Sequence, residues 1–139
     1  MRRLITSAAL ALALVLPVQA EAKTKRFTGA VSPSGTIAFR IVQKRHSKKK
    51  RITKFSFFGV PITCQEGVAT TRGVVDFAAK LNRGRFKFVA SNSITGATLR
   101  IRGNLPAGTL RVSGNVPIDP SGQGTNCDSG LLSWRAHRG

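Results

Sequence analysis

From Gly35 onward, apolar and polar side chains alternate with a period of two, and Gly, Pro, Asn or Ser interrupts the alternation every ten residues or so. No helical period persists for three turns. A chain patterned this way buries its apolar residues as antiparallel strands with one face in the core and one in water. Between Gly35 and Gln43, Ile37, Phe39 and Ile41 point one way and Thr36, Ala38, Arg40 and Val42 the other. Beyond Arg51, the pattern puts Thr53, Phe55 and Phe57 on one face. Gly59 ahead of Val60-Pro61 predicts a bulge or corner that redirects the strand toward Cys64. Pro61 lacks a backbone donor and argues for an edge position there.

A hairpin is expected next, with Val75, Phe77, Ala79 and Leu81 inward, a three-residue Asn82-Arg83-Gly84 turn, and Phe86, Phe88 and Ala90 inward on the return. Thr98 to Leu105 then recurs eleven residues later as Thr109 to Val116, in the same order of apolar, basic and glycine residues. That period is too short for a solenoid unit and suits two strands of a hairpin joined through Pro106-Ala107-Gly108. An irregular loop, Pro120 to Asn126, precedes a last strand from Gly130 to His137 with Leu132, Trp134 and Ala136 on one face. With short segments at Phe27 to Val31 and Val68 to Thr71, the total is about eight or nine strands, which predicts an all-β antiparallel sandwich or, alternatively, a closed β-barrel. Phe39, Phe55, Phe57, Phe77, Phe86, Phe88 and Trp134 supply the core, each contributing about 2 kcal/mol on burial. The only Trp follows the second Cys, which disfavours an antibody-type domain.

The first 22 residues are ordered like a secretory leader: Arg2 and Arg3, an apolar run from Ala8 to Leu16, Pro17, then small residues. Cleavage fits after Val18-Gln19-Ala20 or after Ala20-Glu21-Ala22, and the second leaves Lys23 first. The apolar run falls short of the ~20 residues a membrane span needs. Residues 23–139 then form one domain, expected not to be an integral membrane protein. Of 23 Lys and Arg and five Asp and Glu, Arg2, Arg3 and Glu21 fall in the leader, so the remainder carries a net charge of about +17. Such an imbalance speaks to partners and solubility.

Export puts Cys64 and Cys127 in an oxidising compartment, where a disulfide between them is the natural pairing. Separate thiols or an intermolecular bridge are the alternatives. No metal site is expected, because these cysteines with His46 and His137 lack the close ligand spacings zinc uses. The ending, Cys127-Asp128-Ser129-Gly130 followed by Trp134-Arg135-Ala136, resembles small exported β-rich proteins of high-GC actinobacteria, in general layout over residues 35–138. The resemblance implies a secreted β-sandwich and carries no site residues.

Asp128-Ser129-Gly130 also resembles part of the Gly-Asp-Ser-Gly-Gly nucleophile segment of trypsin-like serine proteases, but Cys127 and Leu131 replace the flanking glycines. The glycine-lined oxyanion turn and the partner histidine that such chemistry requires have no counterpart. Glu66, Asp76, Asp119 and Asp128 sit in separate strand or turn contexts rather than as a facing carboxylate pair. No enzyme and no cofactor are expected, with an unrecognised hydrolase site as the minority alternative.

Charge remains. The run Lys44, Arg45, Lys48, Lys49, Lys50 and Arg51 connects two strands, and alternation turns Arg100, Arg102 and Arg111 outward from one hairpin. These nine residues are the expected polyanion-binding set, because Arg grips phosphate or carboxylate in a bidentate way and Lys adds point charge. The simpler alternative is a solvated loop and face that only keep the chain soluble. Sequence-specific nucleic-acid reading is disfavoured: the alternation sends nearly every Phe inward and there is no Tyr to stack a base. The sequence therefore predicts an exported, non-enzymatic basic domain that associates with envelope polyanions such as wall polymers, acidic glycans or anionic lipid. The alternative is a structural or protein-binding module that uses a sheet edge or the Gly122 to Asn126 loop.

Overall fold

The computed structural model describes residues 23–139, so the expected leader at residues 1–22 lies outside the described residues. Among the described residues nine strands follow one another without a helix: β1 (Lys23–Ser32), β2 (Thr36–Gln43), β3 (Lys50–Cys64), β4 (Gly67–Leu81), β5 (Arg85–Ser91), β6 (Thr98–Asn104), β7 (Ala107–Gly114), β8 (Cys127–Asp128) and β9 (Leu132–Arg138). All pairings are antiparallel, in the order β4-β3-β2-β1-β9-β7-β6-β5. The two-residue β8 bridges β3 and β7, closing a barrel ring of six strands. Of the two expected arrangements, the backbone hydrogen bonds thus form the closed one, with β4 and the β5–β6 pair as extensions.

Alternation is realised as expected in most strands. Ile37, Phe39 and Ile41 are buried from β2; Leu99, Ile101, Leu110 and Val112 from β6 and β7; Trp134 and Ala136 from β9. The eleven-residue repeat is the β6–β7 hairpin, with Asn104 paired to Ala107, so Leu105 and Pro106 alone form the turn. Gly108 is part of the return strand. Its missing side chain leaves room for the Trp134 indole, whose Nε1 donates to Thr109 O at 3.1 Å.

The structure corrects two expectations and meets a third only locally. Thr53 does not share a face with Phe55, because Lys54 adopts φ 56° and the β3 register shifts between Thr53 and Phe55. That bulge lets Ile52 and Phe55, three apart, both point inward with no exposure. A second shift between Phe57 and Val60, at Gly59 (φ 67°), is the expected corner.

Second, β4 and β5 are joined by a turn but form no ladder. Arg83 (φ 53°) and Gly84 (φ 81°) make a two-residue turn closed by reciprocal Asn82–Arg85 backbone bonds, in place of the three-residue loop expected. The strands then part, because β4 spends its whole length on β3 and β5 spends its own on β6. Side chains close the seam: the Phe77 and Phe88 rings stack 3.7 Å apart. Third, β3 is an interior strand, yet its pairing with β2 ends at Phe58, so Pro61 sits where that neighbour has gone. The edge condition is met locally.

Cys64 and Cys127 form the disulfide, tying the end of β3 to β8. The long 115–126 connection is anchored beside it by Thr71 Oγ1 donating to Pro117 O (2.7 Å) and by Thr125 N donating to Glu66 Oε1 (2.8 Å). Buried Gly124 lies against both sulfurs, where any Cβ would collide.

Candidate anion-binding surface

Strand parity decides which cations face water, and register decides which meet. Gln43 closes β2 and Lys50 opens β3, so Lys44 to Lys49 form the connecting loop. Ser47 N donates to Lys44 O, Gln43 Nε2 to Ser47 O and Lys49 N to Ser47 Oγ, which fixes the loop while Lys44, Arg45, Lys48 and Lys49 stay exposed. Lys23 joins this loop around a hollow of about 720 Å³.

Arg51 stands directly opposite Lys80 of β4. Lys80 in turn lines a groove of about 1020 Å³ with Arg85, Lys87 and Arg102. A neighbouring hollow shares Lys87 and Arg102 and adds Arg100 and Arg111. Register and groove lining thus link Arg51, the last residue of the run, through Lys80 to the cations of the hairpin. Eight of the nine expected residues carry no acidic partner among the described residues. Arg111 differs, since its Nε and one terminal nitrogen hold both carboxylate oxygens of Asp128, at 3.0 and 2.6 Å.

Four like-charged pairs face each other across adjacent strands: Arg26 with Arg40, Arg51 with Lys80, Lys87 with Arg102, and Arg100 with Arg111. Like charges so opposed are destabilising, the more so at low salt. Asp128 neutralises Arg111 in the last of these pairs, and the other three pairs hold no acid among the described residues. Glu66 accepts from Thr125, Asp119 lies 3.4 Å from Arg72, and Asp128 pairs with Arg111. Glu66 is separated from the basic loop by the full length of β3. Asp76, exposed on β4, is the acid nearest the groove in sequence.

Parity alone identifies Arg85, Lys87, Arg100 and Arg102 as outward residues. Lys80 is the contributor the sequence did not reveal, because only the β3–β4 register sets it against Arg51 and only the β4–β5 turn sets it across the groove from Arg85. Ser129, the residue with a protease-like context, has its hydroxyl committed: Oγ accepts from Val112 N and donates to Gly130 O, both at 2.8 Å. The Gly122 to Asn126 loop is held by backbone bonds from Gly124 to Val116 and from Gln65 to Thr125.

Comparison with known protein families, curated proteins and solved structures finds no match for this chain.

Hydrogen bonds from Arg111 and then from Gly130 N hold the Asp128 carboxyl below its ordinary value, and the same pair raises Arg111. Hydrogen bonding from Thr125 lowers Glu66. A carboxyl whose folded pKa is depressed contributes stability above its unfolded value near 3.8, and the contribution is lost as pH falls through the folded value. Stability followed by chemical denaturation from pH 5 to pH 2.5 is expected to fall less steeply in Asp128→Asn than in the native chain. Parallel curves would refute a linkage through this pair.

Proposed function

We propose that this protein is an exported, non-enzymatic basic β-barrel domain that associates electrostatically with polyanions of the cell envelope. The observation that carries the reading is the cross-strand opposition of like charges. A sheet that holds cation against cation on its wet face, with only Arg111 of these four pairs bound to an acid among the described residues, gains stability when an external polyanion supplies the missing charge. The exposed cations of the Lys44 to Arg51 run make first contact; Lys80, Arg85, Lys87, Arg100 and Arg102 extend the contact surface. The disulfide fits an oxidising compartment.

Retention on anionic vesicles or an anionic matrix at low salt and at ~0.5 M salt tests the proposal, because the Debye length shrinks to roughly 4 Å in the second condition. Retention is expected to collapse at high salt and to weaken when Lys48, Lys49 and Lys50 are changed to Gln. Salt-indifferent retention, or retention unaffected by those changes, overturns it.

One observation favours a second reading, a protein-binding module: β4 and β5 end the strand order, so each keeps an unpaired edge. Addition of a partner strand would satisfy such an edge. Stoichiometric recovery of one acidic protein from the exported fraction, in place of diffuse polyanion binding, would select it.

A further inference from the structure

Resting on the second of those readings, protein binding through a sheet edge, we propose that the free edge of β4 from Arg72 to Asp76 takes up an extended, uncharged and apolar segment of a partner protein as an added strand.

Hydrogen-bond parity identifies the free groups. Successive residues of a strand turn their N–H and C=O to opposite sides. Just past β4, Asn82 exchanges backbone bonds with Arg85; near its start, Thr70 O accepts from Asp119 N at 2.9 Å. Both positions are even-numbered, so Arg72, Val74, Asp76, Ala78 and Lys80 also turn their backbone groups away from β3. β4 pairs with β3 alone in the strand order. The chain's own connection already uses this edge, since Pro117 and Asp119 are bonded to Thr71 and Thr70. The places next in line are open.

Toward the turn the edge is closed off, because the Phe77 and Phe88 rings stack 3.7 Å apart. Between that seam and Pro117 lies a cleft of about 320 Å³, with Arg72 to Val75 on one bank and Ala90 to Asn92 on the other. Its floor is core: Leu99, Val112 and Val116, with the Phe57 ring set against Gly73 where a Cβ would strike it. Arg72 to Asp76 spans about 14 Å at the rise of an extended strand, which suits roughly five partner residues.

Charge selects the segment. On a chain that carries about +17, Arg72 is the one charged side chain among those lining the cleft, and Asp119 lies 3.4 Å from its Nε. Asp76 adds an acid at the far end of the open stretch. A polyanion gains nothing here that the basic loop does not offer better. An uncharged strand supplies the N–H and C=O groups the edge lacks, sets its inward side chains on the apolar floor, and lays its outward ones beside Val74, which is 63% exposed. A second copy would bring its own excess of positive charge against the first. An acidic partner would meet the cations elsewhere on the surface while the segment in the cleft stays uncharged.

The probe is a short capped peptide of alternating Val and Thr, with three comparators: Glu for Thr, Lys for Thr, and N-methyl groups on alternate backbone nitrogens. Calorimetry measures binding and amide exchange locates it. Binding of the Val-Thr peptide should persist at ~0.5 M salt, where exposed charges are screened beyond roughly 4 Å. Exchange should slow at Val74 and Asp76, and the N-methyl peptide, stripped of donors, should not bind. Val74→Pro removes a donor from the edge and none from the β3 ladder, so the melting temperature should hold while affinity falls about tenfold. Val89→Pro, the matching change on β5, should leave affinity as it was. The N-methyl peptide tests the same bonds on the native protein, should Val74→Pro fail to fold.

Protection at Lys87 and Val89 in place of Val74 and Asp76 moves the site to β5, which overturns the β4 assignment and leaves the protein-binding reading standing. Tighter binding of the Glu peptide, lost in salt, overturns the uncharged segment. Self-association in sedimentation that Val74→Pro abolishes makes the occupant a second copy and overturns the partner. Absence of binding by every peptide overturns the cleft assignment, and it overturns the protein-binding reading as well when no protein is recovered from the exported fraction.

Discussion

Replacing Cys64 and Cys127 together by Ala is expected to lower stability by about 4 kcal/mol, a large share of what a domain this size possesses. The two residues lie 63 apart in sequence, so the cross-link removes much of the freedom of the unfolded chain. The native state loses as well. β8 is two residues long, pairs with β3 through Thr63 and Asp128, and pairs with β7 through Ser113–Asp128 and Gly114–Cys127. So short a strand cannot hold a barrel closed without the covalent tie and the Gly124 turn packed on it. Urea unfolding of the oxidised protein and of the double variant, compared at the midpoint, measures the effect. A difference under about 1 kcal/mol would mean that the 115–126 connection closes the ring unaided. Gly124→Ala, which drives a methyl into both sulfurs, should destabilise the oxidised protein and matter less in the double variant.

Phe39→Ala is expected to cost about 3–5 kcal/mol, the range for deleting a fully enclosed aromatic ring. Phe39 is 1% exposed at the centre of the core. Its ring centroid lies 5.3 Å from Phe27, 5.9 Å from Phe55, 6.2 Å from Phe86 and 5.7 Å from Trp134. Those neighbours come from β1, β3, β5 and β9, so the cavity left behind would loosen strands from both sides of the ring at once. Phe77→Ala serves as contrast, since Phe77 is half-buried and its one close ring partner is Phe88 across the β4–β5 seam. Its loss should be smaller, and should appear first as faster amide exchange along β4 and β5. Equal losses at the two positions would contradict the placement of the centre of the core at Phe39.

Parity along a strand is a property of the backbone. The sequence therefore made legible which of Ile37, Phe39, Leu99, Ile101, Leu110 and Trp134 enter the core and which of Arg85, Lys87, Arg100 and Arg102 face water. Where parity failed, at Thr53, a single residue in the left-handed region had added one position to the strand. Lys54 is not a residue that advertises such a conformation, as Gly59 does.

Partner choice is a different matter, because strand pairing joins residues that are remote in the chain. Asn82-Arg83-Gly84 marked a turn correctly, and the two strands it joins nonetheless pair with β3 and β6. The candidate site shows the same division. The basic loop stood out as a run, and the basic hairpin followed from alternation.

By itself, then, the sequence determined an all-β chain, its inward and outward faces, the β6–β7 hairpin and the cations available to the surface, because each follows from the two-residue repeat of an extended backbone. The tertiary structure alone decided that the strands close into a ring through β8. It also decided that Lys80 meets Arg51 and that Lys87 meets Arg102. Those facts depend on register between strands, which is fixed by packing of the shared core around Phe39 and by no local pattern.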